Sequence, residues 1–392
     1  MVQPALGLGR GLIDRGHDVR VLGPESLRER VAVAGCRFRP WPSALNFDAA
    51  RGRAFEDQWD HVFEETLLGS GVPAAVRAEM EAERPDVVVV DYMLRSAWFE
   101  VERSGVPPVP LLHMTYRHHR VPPDEDPDAE WGVYWSYRKI NAVRAGMGLT
   151  ELPLAPILPS LVLAERAPLA IVVMPREFDD WPEPPASVVH VGPIFEEATT
   201  KSERPAWDSP WAADDPRPLV VVSLGSTYMH QEELLGRIAR AVAAIDARIL
   251  LLTGNGLDPD ELDGIPDAVV VRRYVPHEAV LGEAALLVTH GGMGSLMAAF
   301  AAGVPIVCIP LGRDQLENAE RAEELVTSVT LPADAEPAAI TAAAEWALAS
   351  SEMHAAAKRM RDIVSSYGGA VAAAERLERL VRERSASASA SA

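Results

Sequence analysis

Four consecutive valines, Val87 to Val90, stand between Pro85-Asp86 and Asp91 with no polar residue among them. A strand with one face in water alternates apolar and polar side chains. An unbroken β-branched run suits a strand covered on both faces, as in a parallel sheet layered between helices. Comparable apolar runs recur at Val109 to Leu112, Ala170 to Val173, Leu219 to Val222, Arg248 to Leu252, Ala268 to Val271, Ala285 to Val288 and Ile306 to Ile309. Helical patterns lie between such runs. Pro4 to Arg15 carries Leu6, Leu8, Leu12 and Ile13 and stops at Gly16, a left-handed cap, ahead of a strand from Asp18 to Leu22; a further helix spans Ala74 to Glu83. This alternation predicts an α/β fold of doubly wound parallel sheets.

A chain of 392 residues has room for two such domains. The clearest composition shift is Glu196 to Pro218, with prolines at 205, 210, 216 and 218, and it reads as a linker. The expected domains are therefore 1–195 and 219–384, with the Ser-Ala repeat at 385–392 as a disordered tail. The 57 acidic residues outnumber 37 basic ones for a net charge of −20, and no basic stripe is present, which disfavours nucleic acid and anionic membrane surfaces as partners. The longest apolar candidate, Leu152 to Met174, is broken by four prolines and carries Glu165 and Arg166. No membrane insertion is expected, and the cytoplasm is the default location. Cys36 and Cys308 are too far apart for a CxxC pair, and His118-His119 lacks a third ligand at metal-site spacing, so neither a metal nor a cofactor is expected.

The densest constellation follows a predicted strand: His290-Gly291-Gly292-Met293-Gly294-Ser295, opening directly into an Ala-rich helix. The glycines permit close backbone approach, and the unpaired amides at the positive helix end suit a pair of phosphates. His290 and Ser295 would add donors; the alternative is a tight turn with a structural histidine. Twenty residues on, Gly312-Arg313-Asp314-Gln315 follows another apolar strand, where open α/β sheets bind ligands, and a carboxylate beside an amide can read adjacent sugar hydroxyls. Upstream, Gly225-Ser226-Thr227 offers hydroxyls to a phosphate, and Tyr274-Val275-Pro276 offers an aromatic that can stack on a base.

These four segments, in this order and spacing, resemble the two-domain GT-B glycosyltransferases that use nucleotide sugars, the family that includes bacterial natural-product glycosyltransferases. Gly16-His17-Asp18-Val19, Val191-Gly192-Pro193 and Gly368-Gly369 match flanking features of the family, and the resemblance covers nearly the whole chain. It implies two Rossmann-like domains facing a cleft, the acceptor in the first and the donor in the second. The diphosphate would be held by Ser226, Thr227, His290, Gly291, Gly292, Gly294 and Ser295, the base by Tyr274 and Val275, and the sugar by Asp314 and Gln315. The reaction it implies is an inverting, metal-independent displacement by an acceptor hydroxyl, with dTDP- or UDP-sugar as donor and a hydrophobic natural product as acceptor. Asp91, after the valine strand, matches the family's orienting carboxylate.

The family's base histidine precedes a Val-x-Pro sequence after the first strand; here Val2-Gln3-Pro4 matches, and Met1 stands in the histidine's place. The resemblance thus predicts a first strand and base about 12–18 residues upstream of Met1. A stop codon immediately before Met1 excludes that. The loss of a central strand leaves two neighbours with unpaired ladders. Ala298 stands where the family commonly has a ribose-binding glutamate. Candidate acceptor contacts are His113, Trp131 and Trp135; the two tryptophans share a helical face with Tyr134 and Arg138 that is equally consistent with burial. His113, close to Asp91 in topology, is either a substitute base or a structural histidine. A non-catalytic sugar-nucleotide binder, or an epimerase of similar architecture, would carry the same donor signature.

Overall fold

The computed structural model describes residues 2–41, 68–121, 126, 128, 133–196, 207–225, 229–254 and 256–391. Two compact units divide them: one holds the described residues up to Glu196 together with those from Tyr367 onward, the other those from 207 to Ser366.

In the first unit the order is α1 (Val2–Ile13), β1 (Arg20–Gly23), α2 (Arg28–Val33), β2 (Arg37–Pro40), α3 (Gly71–Ala82), β3 (Val88–Asp91), α4 (Arg95–Ser104), β4 (Pro108–Leu112), α5 (Val133–Gly146), α6 (Pro159–Arg166), β5 (Ala170–Val172) and β6 (Val188–His190). The strands pair in parallel as two sheets, β1-β2 and β3-β4-β5-β6. Among the described residues, β1 and β3 each have one edge without a strand partner. Arg20 of β1 instead reaches α3, donating to Glu79 Oε1 at 2.8 Å and to the Glu83 carbonyl at 2.6 Å.

The second unit comprises β7 (Leu219–Ser223), α7 (Glu232–Val242), β8 (Arg248–Leu252), β9 (Val269–Arg272), α8 (His277–Val280), β10 (Ala284–Thr289), α9 (Met293–Ala302), β11 (Ile306–Cys308), α10 (Gln315–Glu324), β12 (Ser328–Thr330), α11 (Pro337–Ala349) and α12 (Ser351–Ser366). Its six strands run in the order β12-β11-β10-β7-β8-β9, all parallel. Counting within the unit, this is the doubly wound order in which the direction of winding reverses beside the first strand, here between β7 and β10. Val220, Val222, Ile249, Leu286, Val288 and Val307 fill a core with almost no solvent exposure.

The last helix, α13 (Gly369–Ser391), belongs to the first unit; of the carboxyl-terminal helices expected to finish the second domain or cross back to the first, it is the one that crosses back. Ala373, Ala374, Leu377 and Leu380 pack in one cluster with Leu8 of α1 and with Val109, Leu111 and Ile171 of the sheet. Two flanking motifs of the sequence meet at its start: the Gly369 amide donates to the Val191 carbonyl at 2.8 Å, and Gly192 adopts a left-handed φ of 79° against the Tyr367 side chain. The tail expectation is corrected, because residues 385–391 continue α13 as helix. Alanine favours helix, and Ser385, Ser387 and Ser389 donate their hydroxyls to carbonyls four residues back.

Strands β2, β6 and β12 escape the sequence pattern because they stand at sheet edges, where polar residues such as Arg37, His190 and Ser328 interrupt the apolar run; β2 is exposed at both ends and half-buried between. No helix among the described residues is long and apolar enough to cross a membrane.

Candidate active site

In the second unit His290 to Ser295 follow β10, and Asp314 and Gln315 follow β11, beside the point where the strand order reverses, while Tyr274 and Val275 follow β9 at the sheet edge. Thr289 ends β10; Gly291 turns with φ 86°, and Gly292 caps the ten-residue helix α9 from an extended conformation. The Ser295 amide donates to the Gly292 carbonyl at 3.0 Å, which leaves the Met293 and Gly294 amides at the start of the helix as the donors that suit an anion. Ser295 lies in that turn with little exposure, and Gly294 adjoins it.

The His290 ring is clasped between two glycines. A Cβ on Gly225, just beyond β7, would lie 2.7 Å from its Cε1, and one on Gly292 would lie 2.7 Å from its Nε2. Nothing larger than glycine fits either position without moving the imidazole. Its Nδ1 is 3.3 Å from Thr289 Oγ1. Burial pushes the His290 imidazole down to about 4, assisted by the charges of Arg313 and His277. His277, the first residue of α8, is also pushed down by burial to about 4, and its Nε2 lies 3.2 Å from Ser223 Oγ at the end of β7. Two uncharged imidazoles, each able to donate one N–H, thus line this end of the sheet.

Asp314 and Gln315 sit where α10 begins. Gln315 is 2% exposed, and its Oε1 accepts from the Leu311 amide at 2.8 Å and the Gly312 amide at 3.2 Å, so it braces its own loop. Asn318 Nδ2 donates to Asp314 Oδ2 at 2.8 Å and to the Gly291 carbonyl at 3.2 Å, tying the carboxylate to the glycine turn. Tyr274 is 55% exposed, with Val275 half-buried beside it. Ser226 and Thr227 lie outside the described residues. Sequence reasoning missed Ser223, His277, Arg313 and Asn318. The Asp314-to-Asn318 spacing of one helical turn was the available signal; the others needed the sheet order.

In the first unit Asp91 ends β3, and its Oδ1 accepts from the Met93 amide at 3.0 Å. His113 follows β4, and its Nε2 lies 3.3 Å from Asp91 Oδ2. Burial works against the Asp91 carboxylate, yet His113 and the Met93 amide outweigh it and hold its pKa below the ordinary value. Tyr92 places its ring 4.8 Å from that of His113, edge to face, and 5.4 Å from that of His119. Trp135 is half-buried in α5 with Lys139 Nζ 5.3 Å from its ring centre. The fully covered face of α5 carries Tyr137 and Ile140 instead, so of the two readings of the Tyr134, Trp135 and Arg138 stripe, burial is the one that does not hold. Trp131 lies outside the described residues. Cys308 is inert core, its thiol pushed up by burial to about 12.

His119 has no solvent exposure; burial pushes its imidazole down to about 3, and its Nδ1 is 2.8 Å from the Thr115 carbonyl. The unfolded chain protonates this group near pH 6.5 and the folded one does not, so its contribution is complete above pH 6.5 and declines as pH falls toward 3. Acidification from pH 7 to 5 is expected to cost about 2 kcal/mol through His119 alone. His277 and His290, which retain some exposure, add less. Melting curves at the two pH values should show a smaller acid-induced drop for His119→Gln than for the wild type; equal drops would remove the assignment.

Residues 236–380 match the family described as "Erythromycin biosynthesis protein CIII-like, C-terminal domain". The chain is 27% identical to the NDP-glycosyltransferase YjiC of Bacillus subtilis over 97% of its own length and 95% of that protein's. It is 28% identical to the demethyllactenocin mycarosyltransferase of Streptomyces fradiae, over 97% of this chain and 84% of that one. Among solved structures it superposes on the glycosyltransferase of kitacinnamycin with a TM-score of 0.76 at 25% identity, covering 96% of this chain and 95% of that one. Two parallel-sheet units and a glycine turn at the strand-order reversal thus accompany the GT-B fold of the glycosyltransferases to which the chain is similar over nearly its whole length, and its residues 236–380 match the EryCIII-like C-terminal domain.

Proposed function

We propose that the protein moves a sugar from a UDP- or dTDP-sugar to a hydroxyl of a hydrophobic small molecule, with inversion at the anomeric carbon. The observation that carries this reading is the seat around His290, where two glycine backbones, a neutral imidazole and the amino end of α9 converge at the carboxyl edge of the sheet. A diphosphate set there accepts the His290 N–H, the Ser295 hydroxyl and the helix amides, and these donors stabilise the charge that develops as it leaves. No metal is required by this scheme, since the helix end and Arg313 supply the positive potential. Tyr274 and Val275 would receive the base, and Asp314 the sugar hydroxyls, with Gln315 holding the loop in register. Ser226 and Thr227 are assigned to the phosphates by resemblance. In the first unit, Asp91 orients the group that accepts the acceptor's proton, and Trp135 offers an apolar contact. The relatives' names support the natural-product acceptor class.

Calorimetric titration of UDP and dTDP into wild type and His290→Ala tests the donor seat. Loss of a hydrogen bond to a charged group should weaken binding about ten- to a hundredfold. Equal affinity in the two proteins removes the diphosphate assignment.

A further inference from the structure

Among the described residues, three that are not glycine hold left-handed backbones: His230 at φ 54°, Arg313 at 60° and Val326 at 59°. Such a backbone is costly for any residue with a Cβ, and it persists where the surroundings fix it, most often at a binding site. Arg313 is exposed, so burial of its side chain does not offset the strain. The loop around it is locked by Gln315, whose Oε1 accepts from the Leu311 and Gly312 amides and whose Nε2 donates to Met229 Sδ at 3.1 Å. This loop lies against the glycine turn, because a Cβ on Gly291 would meet the Gln315 carbonyl oxygen at 3.0 Å. The charge of Arg313 reaches the His290 ring and helps to keep it neutral.

Strand order supplies a direction. From β9 through β8, β7 and β10 to β11, the carboxyl edge presents Tyr274 first, His290 next and Arg313 last. A nucleotide sugar laid along this edge, base at Tyr274 and diphosphate at His290, turns its second phosphate, the one that bears the sugar, toward Arg313. In a chain of net charge −20, a cation at that point offsets locally the repulsion of an anionic ligand. We propose that Arg313 holds the sugar-bearing phosphate of the donor and so selects nucleoside diphosphates over monophosphates, an inference that rests on the donor seat described above. Its guanidinium offers a fork of N–H donors to two oxygens of that phosphate. A monophosphate has nothing at this position and gains nothing from the arginine.

Calorimetry of UDP, dTDP, their monophosphates and UDP-glucuronate on wild type, Arg313→Gln and Arg313→Gly tests this. Both variants should bind the diphosphates about ten- to thirtyfold more weakly and the monophosphates within threefold of wild type. Without nucleotide, Arg313→Gly should melt about 1–3 °C above the wild type, because glycine relieves the left-handed strain, whereas Arg313→Gln should not. Diphosphate affinity within threefold of wild type in both variants, equal losses for diphosphates and monophosphates, or a melting temperature several degrees lower in Arg313→Gly overturns the proposal. A loss confined to UDP-glucuronate overturns it as well and gives Arg313 to a carboxylate on the sugar. If His290→Ala weakens the diphosphates and the Arg313 variants do not, the donor seat stands and only this assignment falls; if the wild type binds neither UDP nor dTDP, the donor seat falls and this inference with it.

Discussion

Alanine at position 225 is expected to weaken UDP and dTDP binding about a hundredfold. Two effects add. Gly225 holds a φ of 83°, a conformation that costs an ordinary L-residue about 1–2 kcal/mol. The new methyl would also stand 2.7 Å from Cε1 of His290, so the ring must swing out of the place where it meets a phosphate. The opposite glycine blocks escape, because the ring already lies against Gly292. Calorimetry measures the effect directly. An affinity within threefold of wild type would mean that the ring's place between the glycines is irrelevant to the nucleotide.

Alanine at position 192 should instead destabilise the first unit, by about 3 kcal/mol from left-handed strain and overpacking combined. Gly192 has a φ of 79°, and a Cβ there would lie 2.4 Å from the Tyr367 Cβ. Tyr367 cannot retreat, since its hydroxyl donates to Glu177 Oε2 at 2.8 Å and accepts from the Arg176 amide at 2.9 Å. Gly16 provides the control: its φ is 87°, yet a Cβ would meet nothing within 4 Å, so Gly16→Ala should cost only the backbone term. Urea denaturation of both variants separates strain from contact; similar losses at the two sites would dismiss the contact.

Core strands were legible because burial on both faces leaves an uninterrupted apolar signature, as in Leu219–Ser223; the valine run of Val88–Asp91 also marks a strand, but one at a sheet edge where Val90 alone is buried. The glycine turn at 291–294 was legible as well, since a strand feeding glycines into a helix restricts the local backbone almost completely. Other features depended on contacts between distant segments. Nothing local in Gly225 or His277 indicates that both stand beside His290, because that follows from β7 and β10 becoming neighbours although β8 and β9 lie between them in the chain. The same holds for Asp91 and His113, which the order of elements brings close in topology, while the ion-pair distance follows only from the strand register. The Ser-Ala tail reads as disorder because its composition lacks anything to bury, whereas alanine propensity and serine hydroxyls bonded back along the helix carry α13 through it.

The return of α13 to the first unit makes the second unit an insertion in the chain. During synthesis the first unit lacks Ala373, Ala374, Leu377 and Leu380 from its core until nearly the whole polypeptide has left the ribosome. The second unit, complete at Ser366, is contiguous in its described residues and can close before the first one does. Until α13 arrives, the first unit lacks the residues that cover the apolar side chains of Leu8, Val109 and Leu111, which leaves the second unit as the one whose described residues can pack first.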